Sequence, residues 1–134
     1  MIEQKITHLT FIQGVINRMG QNSFLLKGWS VTIVAALFAL AAKDSNKMFA
    51  LIAYFPAFMF WFLDAFFLHQ EKLYRKFYEK VAEDIIKSDK YTLNTQPVER
   101  EVDSYTKVIF SKTLLPLYGC IIGVLLIAMF GILT

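Results

Sequence analysis

Cysteine is almost missing from this chain of 134 residues, and with it goes a class of stabilisation. The one present, Cys120, lies in an apolar run, so no intramolecular disulfide can form and no oxidising compartment is implied. His8 and His69 have no Cys or acid at metal-ligand spacing, and no metal site is expected. No G-x-S-x-G, P-loop or G-x-G-x-x-G word occurs and no Ser/His/Asp set is recognisable, so neither an enzyme nor a cofactor is expected. Charge is sparse at 19% of residues, and the basic residues behind the net +3 lie among almost as many acids, near the ends of apolar runs. A membrane surface explains that placement better than nucleic acid does. From Lys72 to Lys80 the cations interleave with Tyr74, Phe77 and Tyr78, yet Glu71, Glu79, Glu83 and Asp84 share the stretch, as on a solvated face.

Apolar residues, by contrast, make up 56% of the chain and are bunched into three runs. Hydrocarbon offers backbone groups no water, so a run of roughly 20 apolar residues becomes a helix bonded to itself and spans about 30 Å. The expectation is an all-α integral membrane protein with three transmembrane helices. An N-terminal amphipathic helix precedes them, and a cytosolic helical hairpin separates spans two and three.

The residues divide accordingly into 1–24, 25–68, 69–112 and 113–134. In the first segment Ile2, Ile6, Leu9, Ile12, Ile16 and Met19 share one helical face, Gly20 is placed to end the helix, and Asn22 or Ser23 to cap the next. The first span runs from about Leu25 to Ala42, with Trp29 where an interfacial aromatic belongs. Ala39-Leu40-Ala41 resembles a signal-peptide cleavage site, but the long patterned segment ahead of it favours a span. The short link from Lys43 to Lys47 dictates a tight helical hairpin, and the second span returns from about Met48 to Leu68. Leu73, Phe77, Val81 and Ile85 continue that helix into the cytosol, with Glu71–Arg75 and Glu83–Lys87 as i,i+4 pairs. After a loop at Tyr91 to Gln96, Pro97 suits a first helical turn. Val98, Val102, Tyr105 and Ile109 then form a second stripe that can pack antiparallel on the first. The third span covers about Thr113 to Leu133.

Three Lys/Arg residues precede the first span, two lie in the short link and nine between spans two and three. The positive-inside bias therefore puts the N-terminus and the long connection in the cytosol and the C-terminus on the far side.

Asp64 is the one acid within a span. If the hairpin folds about Ser45 and Asn46, position 64 comes level with Lys27, which predicts an ion pair near the cytosolic edge that locks the two helices in register. A proton or cation site at Asp64 is the alternative. Gly119 and Gly123 form a GxxxG word, with Gly131 further on, and Gly28, Ala35 and Ala39 make a similar small-residue ridge on the first span. Such ridges let helix backbones approach, either between copies or within one three-helix unit. Pro56 and Pro116 are expected to fix static bends. The aromatics from Tyr54 to Phe67 cover every face of span two and are read as lipid and packing contacts.

The words Asn17-Arg18-Met19, Lys27-Gly28-Trp29 and Leu63-Asp64-Ala65 lie in a stretch, roughly residues 11 to 82, that resembles the RipA-like family of small octameric bacterial inner-membrane proteins. The layout of paired spans followed by a cytosolic helix is also similar to that of SLATT-type membrane effectors of antiphage systems. The resemblance implies architecture and a homo-oligomer, an octamer in the first family, and supplies no catalytic motif. Three helices enclose no aqueous path alone, so the expected role is that of a homo-oligomeric inner-membrane protein acting as a pore, channel or membrane effector. The alternatives are a noncatalytic scaffold that docks a cytosolic partner on Lys72 to Lys112, and a small proton-coupled transporter using Asp64.

Overall fold

The computed structural model describes residues 2–44, 47–88, 90–127 and 129–130, and the described residues are helical or irregular, with no strand. Helix α1 (Ile2–Asp44) and helix α2 (Lys47–Ala82) run antiparallel along each other, so that Lys5 meets Asp84 and Lys27 meets Asp64. Both are long and apolar enough to cross a membrane. The connection at Ser45 and Asn46 lies outside the described residues, as do Gly131 and the end of the third expected span.

The expected break at Gly20 is absent: α1 is a single helix of 43 residues. Glycine inside a helix costs only about 1 kcal/mol relative to alanine. Against that small cost stands burial of α1 on both sides of the glycine, through Ile12 and Ile16 before it and Ser23, Ser30 and Val34 after it. Asn22 and Ser23 are therefore interior helical positions rather than caps, and residues 1–24 are the first half of α1 instead of a separate element.

Helix α2 tolerates Pro56 in its interior and stops at Ala82, one turn earlier than the stripe through Ile85 predicts. The stop is a Schellman motif: Asp84 sits at φ 63°, its N–H bonds the Val81 carbonyl at 3.0 Å, and the Ile85 N–H bonds the Lys80 carbonyl at 2.9 Å. Aspartate is among the few residues that enter the left-handed region at modest cost. Lys5, 3.1 Å from its carboxylate, offsets an acid at a helix C-terminus. The expected Glu83–Lys87 helical pair is lost with the helix, whereas Arg75 and Glu71 do pair, at 2.7 Å.

The second arm of the expected cytosolic hairpin is not one helix. A 3₁₀ helix, Gln96–Glu101, opens with Pro97, and helix α3 (Tyr105–Ile109) follows after Val102 turns extended. Ser104 caps α3 by accepting from the Lys107 N–H at 3.4 Å, a local bond that competes with helix continuation through Asp103 and Ser104. Lys80–Glu101 at 3.1 Å and Lys72–Asp103 at 3.8 Å tie this arm to α2.

Helix α4 (Leu115–Ile127) has 13 residues. At 1.5 Å per residue that is roughly 20 Å, less than the ~30 Å of a bilayer core, so a third crossing is not reached by this helix alone. Pro116 lies in its first turn, where no intrahelical donor is needed, and it starts the helix rather than bending it.

Two cores result. One gathers Ile12, Ile16, Leu73, Phe77, Val81 and Val98. The other gathers Val34, Ala53, Ala57, Ala65, Val108, Ile109, Leu114, Tyr118, Ile121 and Leu125, so that α2 offers small residues where α4 and α3 lean on it.

Candidate functional site

Between the two cores sits a knot of polar side chains. Asp64 is fully buried, and its carboxylate takes hydrogen bonds from three donors. Lys27 Nζ donates to Oδ2 at 2.7 Å, Tyr118 donates to the same oxygen at 2.8 Å, and the Ser23 hydroxyl donates to Oδ1. Lys27 also donates to Ser23 Oγ at 2.7 Å. The knot thus joins α1, α2 and α4 at one level. Lys27 is its only member open to the surface, with 23% of its side chain exposed.

Each member is there for a local reason. Ser23 and Lys27 are four residues apart and so share one face of α1. The hairpin register brings Asp64 opposite them. Tyr118 is the lone hydroxyl in the apolar run of α4, and a buried phenol needs an acceptor. Trp61 lies flat on Tyr118, with ring centroids 6.0 Å apart and planes 4° apart, and its indole donates to the Ile109 carbonyl at 2.9 Å. That bond satisfies the end of α3 and fixes it to α2.

Desolvating a carboxylate is expensive, and only pairing with a cation and hydrogen bonds offsets the cost. Asp64 has both, which describes a cross-brace more closely than an open proton or cation site. Lys27 and Asp64 are brought together as the hairpin register predicts. Ser23, read as a cap from sequence, and Tyr118, not singled out, complete the group. Among the described residues no cluster of three or more His, Cys, Asp or Glu could hold a metal.

Of the set expected to pack between spans two and three, Leu73, Phe77, Val81 and Val98 do meet, with Val102 at the margin. Ile85 does not: beyond the helix stop it is exposed, and Ile86 packs in its place. Ile109 buries in the other core. Tyr105 leans on His69 and donates its hydroxyl to the Phe62 carbonyl at 2.7 Å, partial burial raising the phenol above its ordinary pKa. His8 is fully buried and closes this end of the molecule. Its Nε2 lies 2.6 Å from the Thr92 carbonyl, its Nδ1 2.9 Å from Ser88 Oγ, and Phe77 and Tyr91 meet its ring edge to face. The segment after α2 is thereby stapled to α1.

The small-residue ridges look outward. Gly28, Ala35, Ala39 and Gly119 are exposed and Gly123 is half-buried. A side-chain carbon at Gly28, Gly119 or Gly123 would meet nothing within 4 Å. Close packing of these ridges inside one chain is therefore not what they do; α2 supplies that through Ala53, Ala57 and Ala65.

Comparison of the chain with protein-family models, with curated proteins and with solved structures returned no match.

Proposed function

We propose that this chain is a noncatalytic integral membrane protein that acts as an assembly of several copies. One observation carries the membrane reading: in the most apolar stretches of α1 and α2 only 17% and 28% of the residues are buried. The core helix of a water-soluble domain would be covered, whereas here Phe24, Trp29, Phe55, Phe62 and Ile127 face outward. An apolar surface of that extent is stable against lipid or against other apolar helices. In this reading α4 and the residues after it make the third crossing. The charged half of the hairpin is cytosolic, and the setting is the bacterial inner membrane, as the RipA-like resemblance implies.

Support for assembly comes from the outward ridges Gly28/Ala35/Ala39 and Gly119/Gly123, together with an apolar groove of about 270 Å³ between α1 and α4. Val34, Ala35, Leu117 and Cys120 are among its lining residues. The carboxylate of Asp64 is held by Ser23, Lys27 and Tyr118, and in this reading the aqueous path of a pore or regulated channel runs between copies. This favours the pore over proton-coupled transport through Asp64. A scaffold that docks a cytosolic partner is the second reading, favoured by the solvent-facing salt bridges of Lys72 and Lys80.

Native mass spectrometry in mild detergent tests the assembly: several copies per particle are expected, and a strict monomer removes the pore. Liposomes containing the protein should leak small ions without proton coupling. An intact oligomer that leaks nothing transfers the assignment to the scaffold.

A further inference from the structure

Residues 104–116 form an elbow whose two sides differ. Val108, Ile109 and Leu114 are buried against α2 and α4, while Lys107, Phe110 and Lys112 are turned outward. Its depth is fixed by contacts already described, the Tyr105 hydroxyl on the Phe62 carbonyl and the Trp61 indole on the Ile109 carbonyl. Phe110 sits edge-on against Trp61, 6.0 Å between ring centroids. That level is where charge ends along the hairpin: no charged residue occurs from Gly28 to Ala42 in α1 or from Met48 to Leu63 in α2.

Half of the twelve other cations in the sequence are neutralised within the chain. Lys5, Lys27, Lys72, Arg75, Lys76 and Lys80 all have acid partners. Lys107 and Lys112 have none among the described residues, and the sequence offers no acid after Asp103, which is itself held by Lys72. Two unneutralised cations flanking an exposed phenylalanine at the boundary of an apolar belt call for an anion that carries hydrocarbon with it.

We infer that this elbow binds the phosphate headgroups of anionic phospholipids, with Lys107 and Lys112 as the contacting cations and Phe110 inserted among the upper acyl carbons. The inference rests on the membrane reading above. A cation at an anionic membrane surface contributes about 1 kcal/mol, close to fivefold in binding, so the pair contributes on the order of 25-fold.

The full-length protein is to be equilibrated in mild detergent with equal amounts of phosphatidylglycerol and phosphatidylcholine, and the retained lipids counted by native mass spectrometry. Wild type should retain phosphatidylglycerol preferentially, and Lys107→Gln/Lys112→Gln should lower that preference on the order of 25-fold. Lys107→Arg/Lys112→Arg should keep it, which separates loss of charge from loss of fold. Arg100→Gln, on the 3₁₀ helix, should leave it unchanged. An unaltered preference in the glutamine variant overturns the assignment, and so does displacement of the lipid by excess inorganic phosphate, which would mark a site for a soluble anion. Vesicle flotation separates the two readings. Protein that floats but shows no anionic preference defeats this inference alone; protein that does not float defeats the membrane reading with it.

Discussion

In the half of the hairpin that holds His8 and Phe77, Ile12, Ile16, Leu73, Phe77 and Val81 turn inward, and ion pairs such as Lys5–Asp84 and Lys80–Glu101 lie outside them. In the half that holds Asp64, the pattern turns inside out: a charged knot lies between the helices and Phe55, Phe62 and Trp29 lie on the surface. The same two helices serve both arrangements. In water the hydrophobic effect assembles the first half and ion pairs add little. In the proposed membrane setting, hydrocarbon gives the second half no such drive, and van der Waals packing and hydrogen bonds hold it instead.

That contrast is open to direct attack. The largest effect is expected in the first half: Phe77→Ala removes a fully buried ring and should cost about 3–5 kcal/mol in denaturant unfolding. A cost below about 1 kcal/mol would deny that half a packed core. Next comes the knot. Lys27→Ala leaves the buried Asp64 carboxylate without its cation and should cost about 3 kcal/mol by thermal unfolding in detergent. Lys27→Ala/Asp64→Ala should cost less than the sum of the two single changes, whereas strict additivity would mean that the pair does not brace the helices. Tyr118→Phe takes away one of three donors and should cost about 1–2 kcal/mol. Loss of a similar size on Tyr74→Phe, whose hydroxyl meets the Leu93 carbonyl in the exposed half, would erase the distinction. The smallest effect has the opposite sign. Gly20→Ala should stabilise by about 0.5–1 kcal/mol, because its carbon would make only ordinary contact with Glu71 and the backbone there is helical. Destabilisation would mean that the chain does break at Gly20.

Much of the hairpin was legible because helical register is arithmetic. A fold about Ser45 and Asn46 pairs Lys27 with Asp64 without any knowledge of packing. Tyr118 was not legible in the same way: 54 residues separate it from Asp64, and the connection between them is broken into short elements, so no periodicity places it. Ser23 was visible but misassigned, since a glycine followed by Asn and Ser carries a real local signal for a helix boundary. Burial on α2 overrode that signal, as tertiary contacts commonly override propensity. The opposite happened after Val81, where the apolar stripe ran on to Ile85 but Asp84 accepted a left-handed turn. Val98 and Val102 fell on the expected face, yet Ser104 captured the backbone and divided the second arm.

An unjointed α1 has a mechanical consequence. At 1.5 Å per residue its 43 residues make a rod of roughly 65 Å. Asp64 grips that rod near its middle, through Ser23 and Lys27. The staple at Ser88 and Thr92 and the carboxylate of Asp64 thus hold one continuous rod at two points, near its start and near its middle.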